Sequence, residues 1–581
     1  MIIDGTRIEP ETTLTGDVVV VGAGPAGIVV ALELAGKGFD VVLIESGSES
    51  FSQDVQSLSD AGELNPDLHA PMSIATRRQV GGASVIWGGR CVPYDPVDFD
   101  YRPHVSDARW PVSYDELTPY FQRACYWLVC GRPVFDAAMT DLLPRTIVPN
   151  FPEGDVQTTS LERWSLPTNF GKEYLQRFRD SSRVRLITGL TCTEIVCGSD
   201  GDRIDHLKCK TLAAKSVIVR ANSYVLACGG LDTTRLLLTS SRPNGQPVGN
   251  HSDHLGRWYM GHAEGVIANV HFSTPPRETV YDYVKDIDGV YVRHRISLAR
   301  EFQHQSELPN IVAWLANPEV ADPRHRSGAL SFAYLVLSSP LGRLFSPDAQ
   351  RLSLTGAKVP GAPYGPVQDH GSLRDHLFNV LRDPASTGRF IAGFGGQLLL
   401  RRRPRVPGFF VGSATNTYPL QYHGEHVPHR ESRVTLTDIR DSLGMPRLAI
   451  DLRFSAQDFE GVVRAHRQWD DYLRRTGFGR LEYLFEDLEE AVAQRIGGGF
   501  HQIGTTRMSA RPEDGVVDQD LAVHGISNLF VASSSTFVTS GQANSTFMII
   551  VFAVRLAEHL RTLLRPRRVT PASAVIARPR E

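Results

Sequence analysis

The chain has 581 residues, 41% of them hydrophobic and 22% charged, with a formal net charge of −3. That length supports two or more substantial cores, and so balanced a charge gives no broad electrostatic case for nucleic acid or an anionic membrane as partner. Seven scattered cysteines without a CxxC pair fit a reducing cytoplasm better than a disulfide framework, the apolar runs are too short to span a bilayer, and the N-terminus has no basic-then-apolar stretch, so a cytoplasmic protein is expected.

The first element read along the chain is complete in itself. Val18 to Val21 are four consecutive β-branched residues, the pattern of a strand buried on both faces, and they run into Gly22-x-Gly24-x-x-Gly27. Gly22 permits the tight turn, Gly24 leaves room for a pyrophosphate against the backbone, and Gly27 lets the next helix pack closely. A helix from Ile28 to Lys37 aims its free N–H groups at those phosphates, and a second strand, Val41 to Ile44, ends in Glu45, an acid suited to a ribose 2′-hydroxyl. Strand, turn, helix, strand and acid together predict a dinucleotide site, either FAD or NAD.

Next comes Gly81-Gly82-Ala83-Ser84-Val85-Ile86-Trp87-Gly88-Gly89-Arg90, glycine-dense enough either to touch a bulky ligand or to pack on the first unit. Ser113 with Glu116 forms a capping box. Short strands at 184–188, 194–196 and 216–219 lead to the apolar strand before Gly229 and Gly230 and a helix from Thr233 to Leu238. This second βα turn lacks GxGxxG and a terminal acid, so it returns to the same cofactor and offers no second nucleotide site.

Residues 261–494 alternate strand-like runs, such as 265–272, 433–437 and 447–452, with long Pro/Gly/Arg-rich passages, which predicts a mostly antiparallel sheet inserted in the nucleotide fold under irregular loops. Arg401-Arg402-Arg403-Pro404-Arg405 reads as a solvated loop. His423, His426 and His429 are spaced in threes, but Gly424 and Pro428 oppose a helix that would present them together, and no metal site is expected. Near the C-terminus His501 lies in a glycine-rich loop, and a core strand at 528–532 ends in Ser533-Ser534-Ser535-Thr536. A long helix, Phe547 to Leu560, starts near Ser545 with its positive end toward the carboxyl edge of the sheet. The tail after Leu564 is Pro/Arg/Ala-rich and expected to be disordered.

Taken together, GAGPAG with Glu45, GGASVIWGG, LACGG, HQIGTTRM and VDQDLAVHGISNLFVASSSTFVTSGQANSTFMIIVFAVRLAEHL resemble, in matching order from end to end, the glucose-methanol-choline (GMC) family of FAD-dependent oxidoreductases. The likeness is to the branch of sugar and gluconate dehydrogenase flavoprotein subunits, pyranose oxidases and aminoglycoside-pathway alcohol oxidases. It implies an α/β chain, α+β overall: a Rossmann-like FAD domain of residues 1–105, 180–260 and 495–565, and a substrate domain of 106–179 and 261–494. His501 matches the family's catalytic histidine and Asn544 its partner. FAD contacts are implied at Gly22, Gly24, Pro25, Ala26, Gly27, Glu45 and Ser46; at Gly81, Gly82, Ser84, Trp87, Gly88 and Gly89; at Cys192, Ala227 and Gly229; and at Ser533, Ser534, Asn544, Ser545 and Thr546. Ser545 stands where the family has proline, and Ser533 where aspartate is common. No histidine of the kind some relatives use to attach FAD lies near Trp87, so the cofactor is expected to be non-covalent.

The implied reaction oxidises a primary or secondary alcohol of a sugar, cyclitol or glycoside, with His501 taking the hydroxyl proton, hydride passing to flavin N5, and oxygen or another acceptor removing the electrons. A homo-oligomer is compatible with this reading. The rivals are a non-redox lyase on the same FAD fold, a flavoprotein that only binds, and an NAD-dependent dehydrogenase.

Overall fold

A computed structural model describes residues 1–564 apart from 106–108, 141–143, 167–168, 347, 358, 360–371 and 400–405. The basic run 401–405 and the tail expected to be disordered lie outside the described residues.

Two sheets interleave along the chain. β1 (Ile2–Asp4), β2 (Val18–Val21) and β3 (Val41–Ile44) come first, and β4 (Val156–Gln157) already belongs to the other sheet. β5 (Val184–Thr188) and β6 (Ser223–Leu226) return to the first; β7 (His262–Phe272), β8 (Ile296–Leu298), β9 (Ile311–Leu315), β10 (Thr417–Glu425) and β11 (Gly479–Tyr483) extend the second; β12 (Leu529–Val531) closes the first. The first sheet is parallel, in the order β1-β5-β3-β2-β6-β12. Its central strands are buried along their whole length, which is why they read as unbroken apolar runs. The second sheet is antiparallel, in the order β11-β7-β10-β9-β8-β4, as expected of the inserted region.

α1 (Pro25–Gly36) follows β2, with Gly24 as its N-cap and proline at its first position, three residues earlier than the apolar pattern alone indicates. α2 (Gly230–Thr239) follows β6. The region expected to hold irregular loops instead contains helices: short ones between 328 and 399, and the 21-residue α3 (Ala456–Thr476). α3 carries ordinary signals, a capping box of Ser455 with Asp458 and a left-handed Gly477 at its end, and it buries Val462, Val463, His466, Trp469 and Leu473 against the second sheet. α4 (Thr546–Leu563) packs against α1. No helix among the described residues is long and apolar enough to cross a membrane.

Each sheet has its own core. Residues of 106–179 divide between them: Leu117, Phe121, Trp127, Phe170 and Phe178 join the core of the first sheet, while Ile147, Val148 and Phe151 join that of the second.

Candidate active site

A single cavity follows the carboxyl edge of the parallel sheet, where the strand order reverses on either side of β2. Its wall begins at the turn after β2. Gly22 has φ +102°, and a Cβ there would stand 2.5 Å from the Ala227 carbonyl oxygen. At Gly27 a Cβ would meet the Gly22 oxygen at 1.9 Å, so this glycine acts through packing and does not line the cavity. At Gly24 a Cβ would find no protein atom nearer than 3.9 Å: the space beside it is cavity, room for a ligand against bare backbone. Pro25 and Ala26, at the start of α1, also face it.

Glu45 lines the cavity and is bonded on both oxygens, Oε2 accepting from the Ala23 N–H at 2.8 Å and Oε1 from the Gly47 N–H at 2.8 Å. Burial pushes its carboxyl up, against the pull of those two N–H groups and of Arg78. Glu45 therefore ties the glycine turn to the turn after β3, a task the sequence did not reveal. Beyond it Arg78 bonds Asp232 at 2.6 Å and Ser46 Oγ at 2.9 Å, and all three line the cavity. Neither Arg78 nor Asp232 belongs to a recognisable motif.

The second glycine cluster does both things open to it. The Gly81 N–H donates to the Ala23 carbonyl at 2.8 Å, docking the cluster on the first turn, while Gly82, Ser84 and Trp87 line the cavity. Gly81, Gly88 and Gly89 are not among its lining. Cys192, Ala227, Gly229, Ser533, Ser534, Ser545 and Thr546 are, and so is His501, at the end where α4 begins. Asn544 is reached through His501.

The His501 loop is fixed by its glycines: Gly504 has φ +92°, and a Cβ there would strike the Trp258 carbonyl oxygen at 2.1 Å. The Asn544 loop is held more elaborately. Gly541 has φ +55°, and its added Cβ would meet Asp98 at 2.9 Å. Gln542 donates to Asp95 at 2.8 Å, and Ser540 Oγ accepts from the His426 N–H at 2.8 Å.

The second sheet supplies the remaining side chains. In the register of β7 and β10, His262 opposes Glu425 and Glu264 opposes His423, and the period of two places these four on one face. Glu425 accepts both guanidinium nitrogens of Arg102, at 2.7 and 2.8 Å. The others turn toward His501: the His262 and His501 Nδ1 atoms are 2.9 Å apart, and His423 Nε2 is 3.0 Å from Glu264 Oε1. Both sheet histidines also hold backbone carbonyls of the Asn544 loop, His262 Nε2 at Ser540 (3.2 Å) and His423 Nδ1 at Gln542 (2.5 Å). Asn544 Nδ2 in turn is 2.9 Å from His501 Nε2. His426 and His429 do not join this cluster; His426 bonds the Gly261 N–H and the Arg453 carbonyl.

Partner chemistry assigns the protons. A carbonyl can only accept, so His262 carries its proton on Nε2 and offers a lone pair at Nδ1. His501 therefore donates from Nδ1 and presents the lone pair of Nε2, to which the Asn544 amide donates. Burial first, then the neighbouring His423, push the His501 imidazole down to about 4, with Glu264 opposing and Arg90 adding to the shift. His262 is held well below the ordinary range, first by burial and then by His423 and His501. Burial raises Glu264, but His423, His501 and Arg90 outweigh it and keep the carboxyl below its ordinary value.

A parallel sheet with a glycine-turn cavity at its carboxyl edge is the architecture of dinucleotide-binding proteins. The model for FAD dependent oxidoreductases matches residues 17–313, and that for the C-terminal part of GMC oxidoreductases matches residues 428–553. The chain belongs to the FAD-dependent oxidoreductases, and its C-terminal part is similar to that of GMC oxidoreductases. It is similar to the 6‴-hydroxyparomomycin C oxidase of Streptomyces lividus, at 28% identity over 95% of this chain and 93% of that one. It is also similar to the 2-methyl-1,2-propanediol dehydrogenase of Mycolicibacterium austroafricanum, at 23% identity over 94% and 95%. Pyridoxine 4-oxidase from Mesorbium loti shares the fold, with a TM-score of 0.53 and 17% identity over 94% of this chain and 99% of that one.

Proposed function

We propose that the protein oxidises a primary or secondary hydroxyl of a sugar, cyclitol or glycoside, with His501 as the base. The observation that carries this is the lone pair at His501 Nε2, presented at the end of the cofactor cavity and flanked by Asn544. Bare backbone at Gly24, the positive N-terminus of α1 and the bonded Glu45 suit a dinucleotide's pyrophosphate and ribose, and the start of α4 suits the electron-rich end of its ring. When bound, the flavin supplies the hydride acceptor.

The chain's own residues do the rest. His262 fixes the tautomer and orientation of His501, so the proton of the substrate hydroxyl passes to Nε2 as the carbon is oxidised. Asn544 holds that oxygen in place by donating to it from Nδ2, the amide nitrogen that stands 2.9 Å from His501 Nε2. Glu264, whose side chain is 23% exposed beside His423, offers an acceptor to further hydroxyl or amino groups, which favours a substrate with more than one polar group, in line with those the two relatives are named for. We take the FAD as non-covalent and the division into cofactor and substrate regions as drawn from the sequence. Anaerobic bleaching of the flavin by a panel of sugars, aminocyclitols, glycosides and simple diols tests the reading. Bleaching without added NAD is expected; a yellow protein that no alcohol bleaches would refute it.

A further inference from the structure

Three imidazoles meet at this site, but only one of them is needed as a base. His262, His423 and His501 come from β7, β10 and a loop more than 70 residues further on, and each brings a nitrogen within 4.8 Å of the other two. We propose that they form a binding site for one divalent d-block cation of the zinc type, and that the bound ion reversibly switches the enzyme off. Binding rests on geometry alone; the switching rests on the reading of His501 as base.

The donor set fits such an ion. Neutral imidazole is the usual ligand for zinc, copper and nickel. Two nitrogens 2.0–2.1 Å from one tetrahedral ion stand about 3.4 Å apart. The present cluster brackets that spacing, from 2.9 Å between the His262 and His501 Nδ1 atoms to the 4.8 Å limit. His262 and His423 are only 3% and 1% exposed, and each anchors its outer ring nitrogen on a backbone carbonyl, Ser540 and Gln542, which is how ligating histidines are oriented. Their inner atoms, His262 Nδ1 and His423 Nε2, face the cluster, and Glu264 stands 3.0 Å from the latter as a further oxygen donor.

The protons account for the inhibition. In the ion-free site His501 carries its proton on Nδ1. To ligate through Nδ1 it must move that proton to Nε2, where Asn544 can turn its unpartnered Oδ1 to accept it. Nε2 then has no lone pair for a substrate hydroxyl. His262 Nδ1 is already free, and His423, whose Nδ1 is engaged by the Gln542 carbonyl, offers the lone pair of Nε2.

The test uses cofactor-loaded enzyme freed of metal by chelator. Zinc is titrated calorimetrically, and cobalt(II) is followed by its visible ligand-field bands, beside the anaerobic flavin-bleaching rate. We expect one ion per chain, loss of bleaching along the same titration, recovery with EDTA, and binding weakened at least about tenfold in both His423→Gln and His262→Gln, with the flavin spectrum reporting that each variant is folded. Absence of saturable binding, or binding unchanged in both variants, would overturn the site. Stoichiometric binding with undiminished bleaching would overturn the switch. The base reading fails separately, if metal-free His501→Ala bleaches at the parental rate.

Discussion

The glycine cradle and the histidine cluster, which meets the same cavity through His501, are built on opposite plans. The cradle is backbone: a turn after β2, a helix start, and glycines whose missing Cβ atoms make the room. Its first parts, from Gly22 to Glu45, follow one another along the chain, and their spacing is dictated by its path. The cluster is side chains: His262, Glu264, His423, His501 and Asn544 reach one spot from four segments, and strand register and buried hydrogen bonds fix their positions. A site made of backbone shape tolerates few substitutions at its glycines and fails by losing its ligand. One made of side-chain protons keeps its ligand and fails in rate and pH dependence.

The largest effect expected from that contrast is at His501. His501→Ala removes the proposed proton acceptor and should slow flavin bleaching by roughly 10²- to 10⁴-fold, with FAD still bound. Stopped-flow under anaerobic conditions measures it, and a parental rate in the variant would put the base elsewhere. The matching lesion in the cradle is Gly27→Ala, where the new Cβ falls 1.9 Å from the Gly22 carbonyl oxygen and the turn has to move. Overpacking of this kind costs about 1–3 kcal/mol, so FAD should dissociate roughly 10- to 100-fold more readily. The rate of the fully loaded variant should stay near the parent's, and FAD affinity equal to the parent's would show that the turn is not part of the cradle.

These two plans also decide what the sequence could disclose. Val18 to Glu45 announced itself because a buried parallel strand, a glycine turn and a terminal acid are all local patterns, and the structure has both strands at the expected residues. His501 and Asn544 were legible only through resemblance to a family. His262 and Glu264 went unnoticed because β7 was read from residue 265, leaving out the alternation His262-Ala263-Glu264 at its start. His423 was weighed only with His426 and His429, its neighbours in sequence, whereas its partners are Glu264 across the strand pair and the Gln542 carbonyl more than a hundred residues away. Register between distant strands is set by tertiary packing, and no local period reports it. The missed α3 is a different matter, since its capping box and terminal glycine were there to be read.

A smaller effect is expected at Glu45, where the two plans meet. Its carboxylate bonds the Ala23 and Gly47 N–H groups, so Glu45→Gln keeps the shape and loses one acceptor. At about 1.5 kcal/mol, the low end for a hydrogen bond to a charged group, FAD affinity should fall about tenfold, and Glu45→Ala should lose more. Fluorescence titration of the stripped enzyme with FAD gives both numbers. Equal affinities for parent and both variants would mean that the acid neither shapes the turn nor holds the ribose.

The smallest effect is the one the cluster makes most specific. Burial and His423 hold the His501 imidazole down at about 4, so its neutral, proton-accepting form persists far below the ordinary histidine range. The sign follows: bleaching requires the unprotonated base, so the rate rises with pH through about 4 and is lost as pH falls through it, leaving the profile nearly flat from about pH 5 to 8. The neighbours should move that limb in opposite directions. His423→Gln removes an influence that lowers His501 and should bring the limb up toward neutrality, whereas Glu264→Gln removes one that raises it and should push the limb lower still. Bleaching rates at saturating substrate across the acid range, measured for the parent and both variants, decide the matter. A parental limb near pH 6.5, or variants that shift it the same way, would show that the cluster packs around His501 without tuning it.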